Sequence, residues 1–294
     1  MKYDSKALGQ SRGEIYKIDL SLVDKNDVRW IASDFIQSNS TVLDVGCACG
    51  DFGDLLSKTK VCCEVFGMEY ETDSIEIAKN TKAYNAIHQI DLNKFERNKY
   101  DMFLSYFDSI VFLDVLEHIS SAEEVLYHFS KFLKSDGAFI ISIPNISFCD
   151  IKIGLLRDNF DYSETGILDK THIKFYTYKS IAKLMTKLEL EIVECKPKVG
   201  YFSEELNNMN VPRYIRRYIK KNPHSFVYQY VLKAKPSNKS KEKLEKINMH
   251  KMNLNWSLIS RELSNIKKNR LIQKLFPSGS IRHSLAKRFK NTYT

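Results

Sequence analysis

The stretch TVLDVGCACGDFG (41–53) constrains this chain more than any other. Thr41-Val42-Leu43 reads as a buried strand, Asp44 ends it, and Gly46 and Gly50 punctuate the turn that follows. A helix is predicted to begin around Gly53-Asp54-Leu55-Leu56. A strand, a glycine loop and a helix N-terminus bring backbone N–H groups up to a ligand, and a missing Cβ lets the backbone approach closely. The same unit also serves as a plain strand-to-helix connection. Two common phosphate loops are excluded. A G-x-G-x-x-G fingerprint starting at Gly46 needs glycine at Ala48 and Asp51, and a Walker loop needs G-K-[ST] where Gly50-Asp51-Phe52 stands.

Downstream, the pattern alternates. Residues 22–38 carry Val28, Ile31, Phe35 and Ile36 at helical spacing, so a helix leads into the first strand. A second strand is expected over 61–68, ending at Glu69-Tyr70, and a helix over 72–80, capped at Thr72 or Asp73. Further strands are expected over 86–90, 108–113 and 137–143, with a helix over about 121–133. A helix from Thr177 or Tyr178, a sixth strand at 190–194 and a seventh at 226–234 complete the pattern. Such alternation predicts an α/β fold with a parallel sheet whose ligands sit at the carboxyl ends of the strands. Four of those ends carry acids: Asp44, Glu69, Asp91 and Asp114. Glu69 stands where a carboxylate would accept from a ribose diol, against the plainer reading of a solvated loop acid. Asp91 is placed to accept from an adenine amino group or, equally, to cap the next turn.

VLDVGCACG, Glu69, Asp91 and FDSIVFLDVLEH together resemble the class I S-adenosylmethionine-dependent methyltransferases, over about residues 25–235. The resemblance implies a Rossmann-like, seven-stranded, mostly parallel sheet with helices on both faces and an antiparallel last strand. It also implies S-adenosyl-L-methionine as cofactor. The cofactor set carried over is Asp44, Gly46, Cys47, Gly50, Glu69, Tyr70, Asp91, Leu92 and Asp114. The family's usual G-x-G-x-G loop has Ala48 at its centre here. Residues 167–185 resemble a segment of bacterial methyltransferases from surface-glycan and small-molecule pathways. Insertions at 145–171 and 197–225 are expected on the acceptor side, with Phe148, Phe160, Tyr162, Tyr201 and Phe202 either lining a pocket or packing the insertion.

Methyl transfer to a hydroxyl needs a positioned base. His172, with Asp169 as its orienter, and His118 are the candidates, and Glu117 is an alternative; a loop-shaping role for either histidine competes. No metal is expected, because no ligand cluster is compact along the chain. The six cysteines, with adjacent Cys62-Cys63 and the Cys47-x-Cys49 pair, match no usual zinc spacing and read as free thiols.

Charge divides the chain. The net +9 resolves into +11 from Pro236 onward (fourteen Lys/Arg, three Glu) and −2 before it, so a basic nucleic-acid-binding core is not indicated. In the tail, 236–294, Met249, Met252, Trp256, Ile259, Leu263 and Ile266 form a heptad-like stripe. Helix pairing into a dimer or with a partner protein, an anionic membrane surface, and packing on its own domain all fit. No transmembrane run and no signal-peptide core are apparent, so a cytoplasmic protein, peripheral at most to the inner membrane face, is expected. The expected activity is O-methylation of a sugar or sugar-linked group in polysaccharide synthesis. O-methylation of a small aromatic or quinone precursor competes with it. A nucleic-acid-binding or non-catalytic assembly protein acting through the tail is the alternative of another class.

Overall fold

The computed structural model describes residues 25–200, 211–254 and 257–264. In chain order, helix α1 (Val28–Ser33) leads to β1 (Thr41–Val45), α2 (Asp51–Thr59), β2 (Glu64–Glu69), α3 (Thr72–Asn80) and β3 (Ala86–Gln89). Then come β4 (Phe107–Leu113), α4 (Ala122–Phe129), β5 (Leu133–Pro144), α5 (Cys149–Leu155) and α6 (Tyr178–Lys187). Strand β6 (Leu190–Val199), helix α7 (Arg213–Lys220), strand β7 (Val227–Pro236) and helix α8 (Lys241–Met252) follow.

The seven strands form one sheet in the order β3-β2-β1-β4-β5-β7-β6, parallel except for β7, which runs antiparallel to both neighbours. The expected fold is the one observed. Its central strands are apolar on both faces because helices cover both. In β4, Ile110 and Phe112 enter a cluster that also holds Leu126 and Phe129 of α4 and Met185 of α6. Val111 between them points the other way, into a cluster with Ile31 of α1 and Leu55 and Leu56 of α2.

Element ends depart from the expected ones for local reasons. Strand β2 starts at Glu64 rather than 61 because Cys62 adopts a left-handed φ of 51°. Helix α1 is shorter than expected among the described residues, and residues 22–24 lie outside them. Helix α3 spans 72–80 but is capped by Glu71, not Thr72 or Asp73. Helix α4 yields to a short 3-10 turn at Ser130–Phe132, and β5 begins early, at Leu133. Strand β6 runs on to Val199 because β7 offers it a partner along that whole length.

The basic tail is turned inward as far as it is described. Leu244, Asn248 and Met252 on α8, and Ile259 beyond it, are fully buried, and Met252 and Ile259 join the main core. The Asn248 amide fastens α8 to the edge of the sheet: its Oδ1 accepts from Ile192 N (2.7 Å), and its Nδ2 donates to Leu190 O (2.9 Å) and Thr186 Oγ1 (3.1 Å). The heptad stripe is therefore not one continuous helix presented to a partner: α8 stops at Met252, helix resumes at 257–264, and the apolar residues pack on their own domain. Trp256 and Ile266 of that stripe lie outside the described residues, as do Tyr201 and Phe202 of the second insertion. Among the described residues no helix is long and apolar enough to cross a membrane.

Candidate active site

The carboxyl ends of β1, β2 and β4 converge on the glycine loop. Gly46 and Gly50 both take left-handed φ values, 74° and 84°. A Cβ on Gly46 would lie 2.6 Å from Val115 Cγ2, and one on Gly50 would press on Ala78 and Tyr84. The loop thus has room for glycine alone at both points. Ala48 also takes a positive φ, 45°, a strained conformation for alanine. Its N–H donates to Glu69 Oε2 at 2.9 Å, which accounts for the strain being held.

Glu69 closes the loop from the end of β2. Its Oε1 accepts from Tyr70 N (2.7 Å) and Glu71 N (3.0 Å), so with Ala48 the carboxylate takes three backbone N–H groups. A carboxylate offers about four acceptor positions, which leaves room for one further donor. Tyr70 beside it is well exposed, and its carbonyl accepts from Gln89 Nε2.

Asp44 is 2% exposed, and its Oδ2 accepts from Tyr84 OH at 2.7 Å. The same hydroxyl accepts from Gly53 N at the start of α2 (3.1 Å). Sequence reasoning missed Tyr84, because nothing in its local pattern marks a residue whose partners are 40 and 31 positions away. Burial raises the Asp44 pKa to about 7, with the Glu69 carboxylate adding to the rise and the Tyr84 bond opposing it. A folded-state pKa above the unfolded one means that the native state holds the proton longer. Stability is then highest at low pH and declines until the folded pKa is passed. Between pH 5 and pH 7 the wild type should lose about 2 kcal/mol of unfolding free energy that Asp44→Asn does not lose. Urea titrations of the two proteins at both pH values check this.

Other expected cofactor residues serve different ends. The Cys47 side chain is buried against Gly67, its thiol is pushed far up by burial, and its N–H donates to Met68 O at 3.2 Å. Asp91 Oδ1 accepts from Asn93 N (3.0 Å), the capping arrangement, with half-buried Leu92 opening the short turn that it caps. Asp114 sits at a φ of 58° and accepts from Ser142 Oγ (2.6 Å) and from Gln229 Nε2, which ties the end of β4 to β5 and β7.

Just beyond, a 3-10 turn (Leu116–His118) anchored by fully buried Leu116 carries Glu117 and His118. The Glu117 carbonyl accepts from Ile173 N (2.9 Å) and Lys174 N (3.1 Å), which zips this turn to the first insertion and brings His172 to it. The His118 and His172 rings meet edge to face with centroids 4.7 Å apart. His172 Nε2 lies 3.8 Å from Glu117 Oε1. Glu117 is 1% exposed and neither of its oxygens has a hydrogen-bond partner among the described residues. Burial, with Asp114 and Asp169 near by, drives its pKa well up. Asp169 is not the orienter of His172: its Oδ1 accepts from Thr171 N (2.8 Å) and Thr171 Oγ1 (2.6 Å). Backbone carbonyls orient both rings instead, Ile167 O for His172 Nδ1 (3.0 Å) and Thr171 O for His118 Nδ1 (3.2 Å). The expectation of no compact ligand set is also corrected. One ligand atom from each of Glu117, His118 and His172 falls within 4.8 Å of the others.

Aromatic residues of the insertion divide in two. Phe148 is buried and packs on Tyr228, whereas Phe160 and Tyr162 are exposed and pack on Phe175, whose ring lies 6.5 Å from that of His172.

Residues 26–195 match the family model described as a methyltransferase domain. The ubiquinone biosynthesis O-methyltransferase of Haemophilus ducreyi is 25% identical over 164 residues, 54% of this chain and 67% of that protein. The enzyme of the same name from Actinobacillus pleuropneumoniae serotype 5b is 22% identical over 178 residues, covering 57% of this chain and 74% of that protein. A crystal structure of a SAM-dependent methyltransferase from Archaeoglobus fulgidus shares the fold, with a TM-score of 0.50, 19% identity and coverage of 71% of this chain and 94% of that one. Its match over more than half its length, on a sheet of this order with a glycine loop at the end of β1, makes the chain a member of the class I S-adenosylmethionine-dependent methyltransferases.

Proposed function

We propose that this enzyme methylates a hydroxyl oxygen of a small acceptor, activated at the Glu117–His118–His172 cluster. S-adenosylmethionine, when bound, supplies an electrophilic methyl group that passes to the acceptor oxygen as the carbon–sulfur bond breaks with its electrons left on sulfur. The chain's own residues fit that cofactor. The glycine loop leaves no space for side chains at Gly46 and Gly50, and Glu69 keeps one acceptor position free for a ribose hydroxyl.

One observation carries the acceptor side. Both imidazoles point Nδ1 at a backbone carbonyl, so that nitrogen carries the proton and Nε2 is left with its lone pair. The cluster therefore offers lone pairs to a hydroxyl that must lose a proton. It follows Val115, the residue that packs on Gly46, and so stands beside the loop that holds the methyl donor.

For the acceptor, two supports differ. The curated relatives are named for ubiquinone biosynthesis and favour a phenolic hydroxyl of a quinone precursor, whose flat ring suits the exposed Phe160 and Tyr162. A sugar hydroxyl is the second reading, supported by the likeness of 167–185 to the glycan-pathway methyltransferases; sugar faces also stack on such rings. Incubation with methyl-labelled S-adenosylmethionine and either a catechol-type phenol or a nucleotide sugar separates the two. Label is expected on an oxygen of the phenol. Label on the sugar alone would select the second reading, and label on neither would remove both.

A further inference from the structure

The loop that presents His172 is closed on itself and fastened to the sheet at both ends. Within it, Ser163 N donates to Leu168 O (2.8 Å), Lys170 N to Ser163 O (3.0 Å) and Asp169 N to Gly166 O (3.1 Å). Its far end is tied to the turn after β4, where Ile173 N and Lys174 N donate to the Glu117 carbonyl. Its near end meets Tyr228 of β7. Gly166 takes a left-handed φ of 100°, and a Cβ there would lie 3.1 Å from Tyr228 Oη, so the hydroxyl stands directly against this stretch of backbone. Burial and the Asp114 carboxylate raise the Tyr228 pKa, and a hydrogen bond accepted from the Ile167 backbone N–H opposes the rise. Tyr228 is itself firmly held. Its carbonyl accepts from Asn145 N (2.9 Å) at the end of β5, its ring meets Phe148 edge to face at 5.4 Å, and Lys198 Nζ stands 5.5 Å from the ring centre. A side chain on a paired strand is a more exact mount than one on a loop.

We propose that Tyr228 is a positioning residue for His172: its hydroxyl sets the Gly166–Ile167 peptide, and the Ile167 carbonyl in turn sets the imidazole. The path is short. The residue whose N–H meets Tyr228 Oη is the one whose carbonyl stands 3.0 Å from His172 Nδ1. The Ile167 side chain is 5% exposed and packs in a cluster with Phe148, Cys149 and Ile219, which keeps the residue from rotating about that path. With Ile167 O fixed, Nδ1 carries the proton and Nε2 keeps its lone pair. Removing the hydroxyl leaves the Ile167 N–H without its partner, and a polar group in that state turns its peptide to find another. The imidazole then loses its fixed acceptor and takes either tautomer. The catalytic consequence rests on the reading of His172 as the proton acceptor, although the tie from Tyr228 through Ile167 to the ring does not.

The test compares the full wild-type chain with Tyr228→Phe, which removes the hydroxyl alone, and with Gly166→Ala, which pushes a methyl group against that hydroxyl from the other side. Long-range proton–nitrogen NMR of the histidine-labelled proteins at about pH 8, above the ordinary imidazole pKa, reads the tautomer of each ring. The His172 signals are assigned by their absence from His172→Gln. The wild type is expected to hold the His172 proton on Nδ1, and both variants to show a mixture of tautomers. Methyl transfer to a catechol-type phenol should fall about 10-fold in kcat in Tyr228→Phe, with the acceptor KM unchanged. Calorimetric binding of S-adenosylhomocysteine, equal to that of the wild type, shows that a variant is folded. Should Tyr228→Phe lose that binding, Gly166→Ala carries the same test. A folded variant with unchanged His172 signals overturns the proposal, whatever its rate. A mixture of tautomers with an unchanged rate keeps Tyr228 as the group that sets the ring and removes His172 as the proton acceptor.

Discussion

Glu69→Ala should weaken S-adenosylmethionine binding about 100-fold, a loss of about 2.7 kcal/mol. Two effects add. The carboxylate ties the glycine loop to β2 by accepting from Ala48 N while it holds Tyr70 N and Glu71 N. Its removal leaves those N–H groups to water and frees Ala48 from its left-handed conformation, whose φ is 45°. The acceptor for a ribose hydroxyl is lost as well, and a hydrogen bond to a charged group is worth ~1.5–3 kcal/mol. Glu69→Gln should fall between the two proteins, since it keeps one carbonyl oxygen but places an amide donor against backbone N–H. Isothermal titration of the three proteins decides. Equal affinities in all three would mean that Glu69 serves the loop's shape alone.

His172→Gln should lower kcat by ~10²–10⁴-fold while cofactor affinity stays within error. The side chain stands in the acceptor-side cluster, not in the glycine loop, so the loss is specific to the acceptor half of the reaction. Asp169→Asn should cost much less, because that carboxylate holds Thr171 and does not touch the imidazole. Steady-state kinetics at saturating cofactor measure both. An Asp169→Asn defect as large as that of His172→Gln would contradict the assignment of orientation to the Ile167 carbonyl.

The sheet was legible because its strands are apolar and separated by capped or glycine-broken turns. Strand β4, with Ile110, Val111 and Phe112 fully buried, announces itself by composition alone. What was not legible is what depends on distant pairing. Strand β6 continues past 194 only because β7 lies beside it, and Asp44 owes its raised pKa to burial that no local pattern reveals. The tail shows the same limit. A stripe at heptad spacing fits a partner helix and the domain's own flank equally well, and Asn248, with its three bonds to α6 and β6, marks the flank. In the site, His172 and His118 could be singled out one at a time. Their meeting with Glu117 depends on two backbone bonds, from Ile173 and Lys174 to the Glu117 carbonyl, which join segments more than fifty residues apart.

The most direct test of the central claim is the atom that receives the label when the wild type is given methyl-labelled S-adenosylmethionine and a catechol-type phenol. The account predicts a single new O-methyl signal in the product by NMR, dependent on His172. Label on carbon or nitrogen, or the same O-methyl yield from His172→Gln, would contradict it.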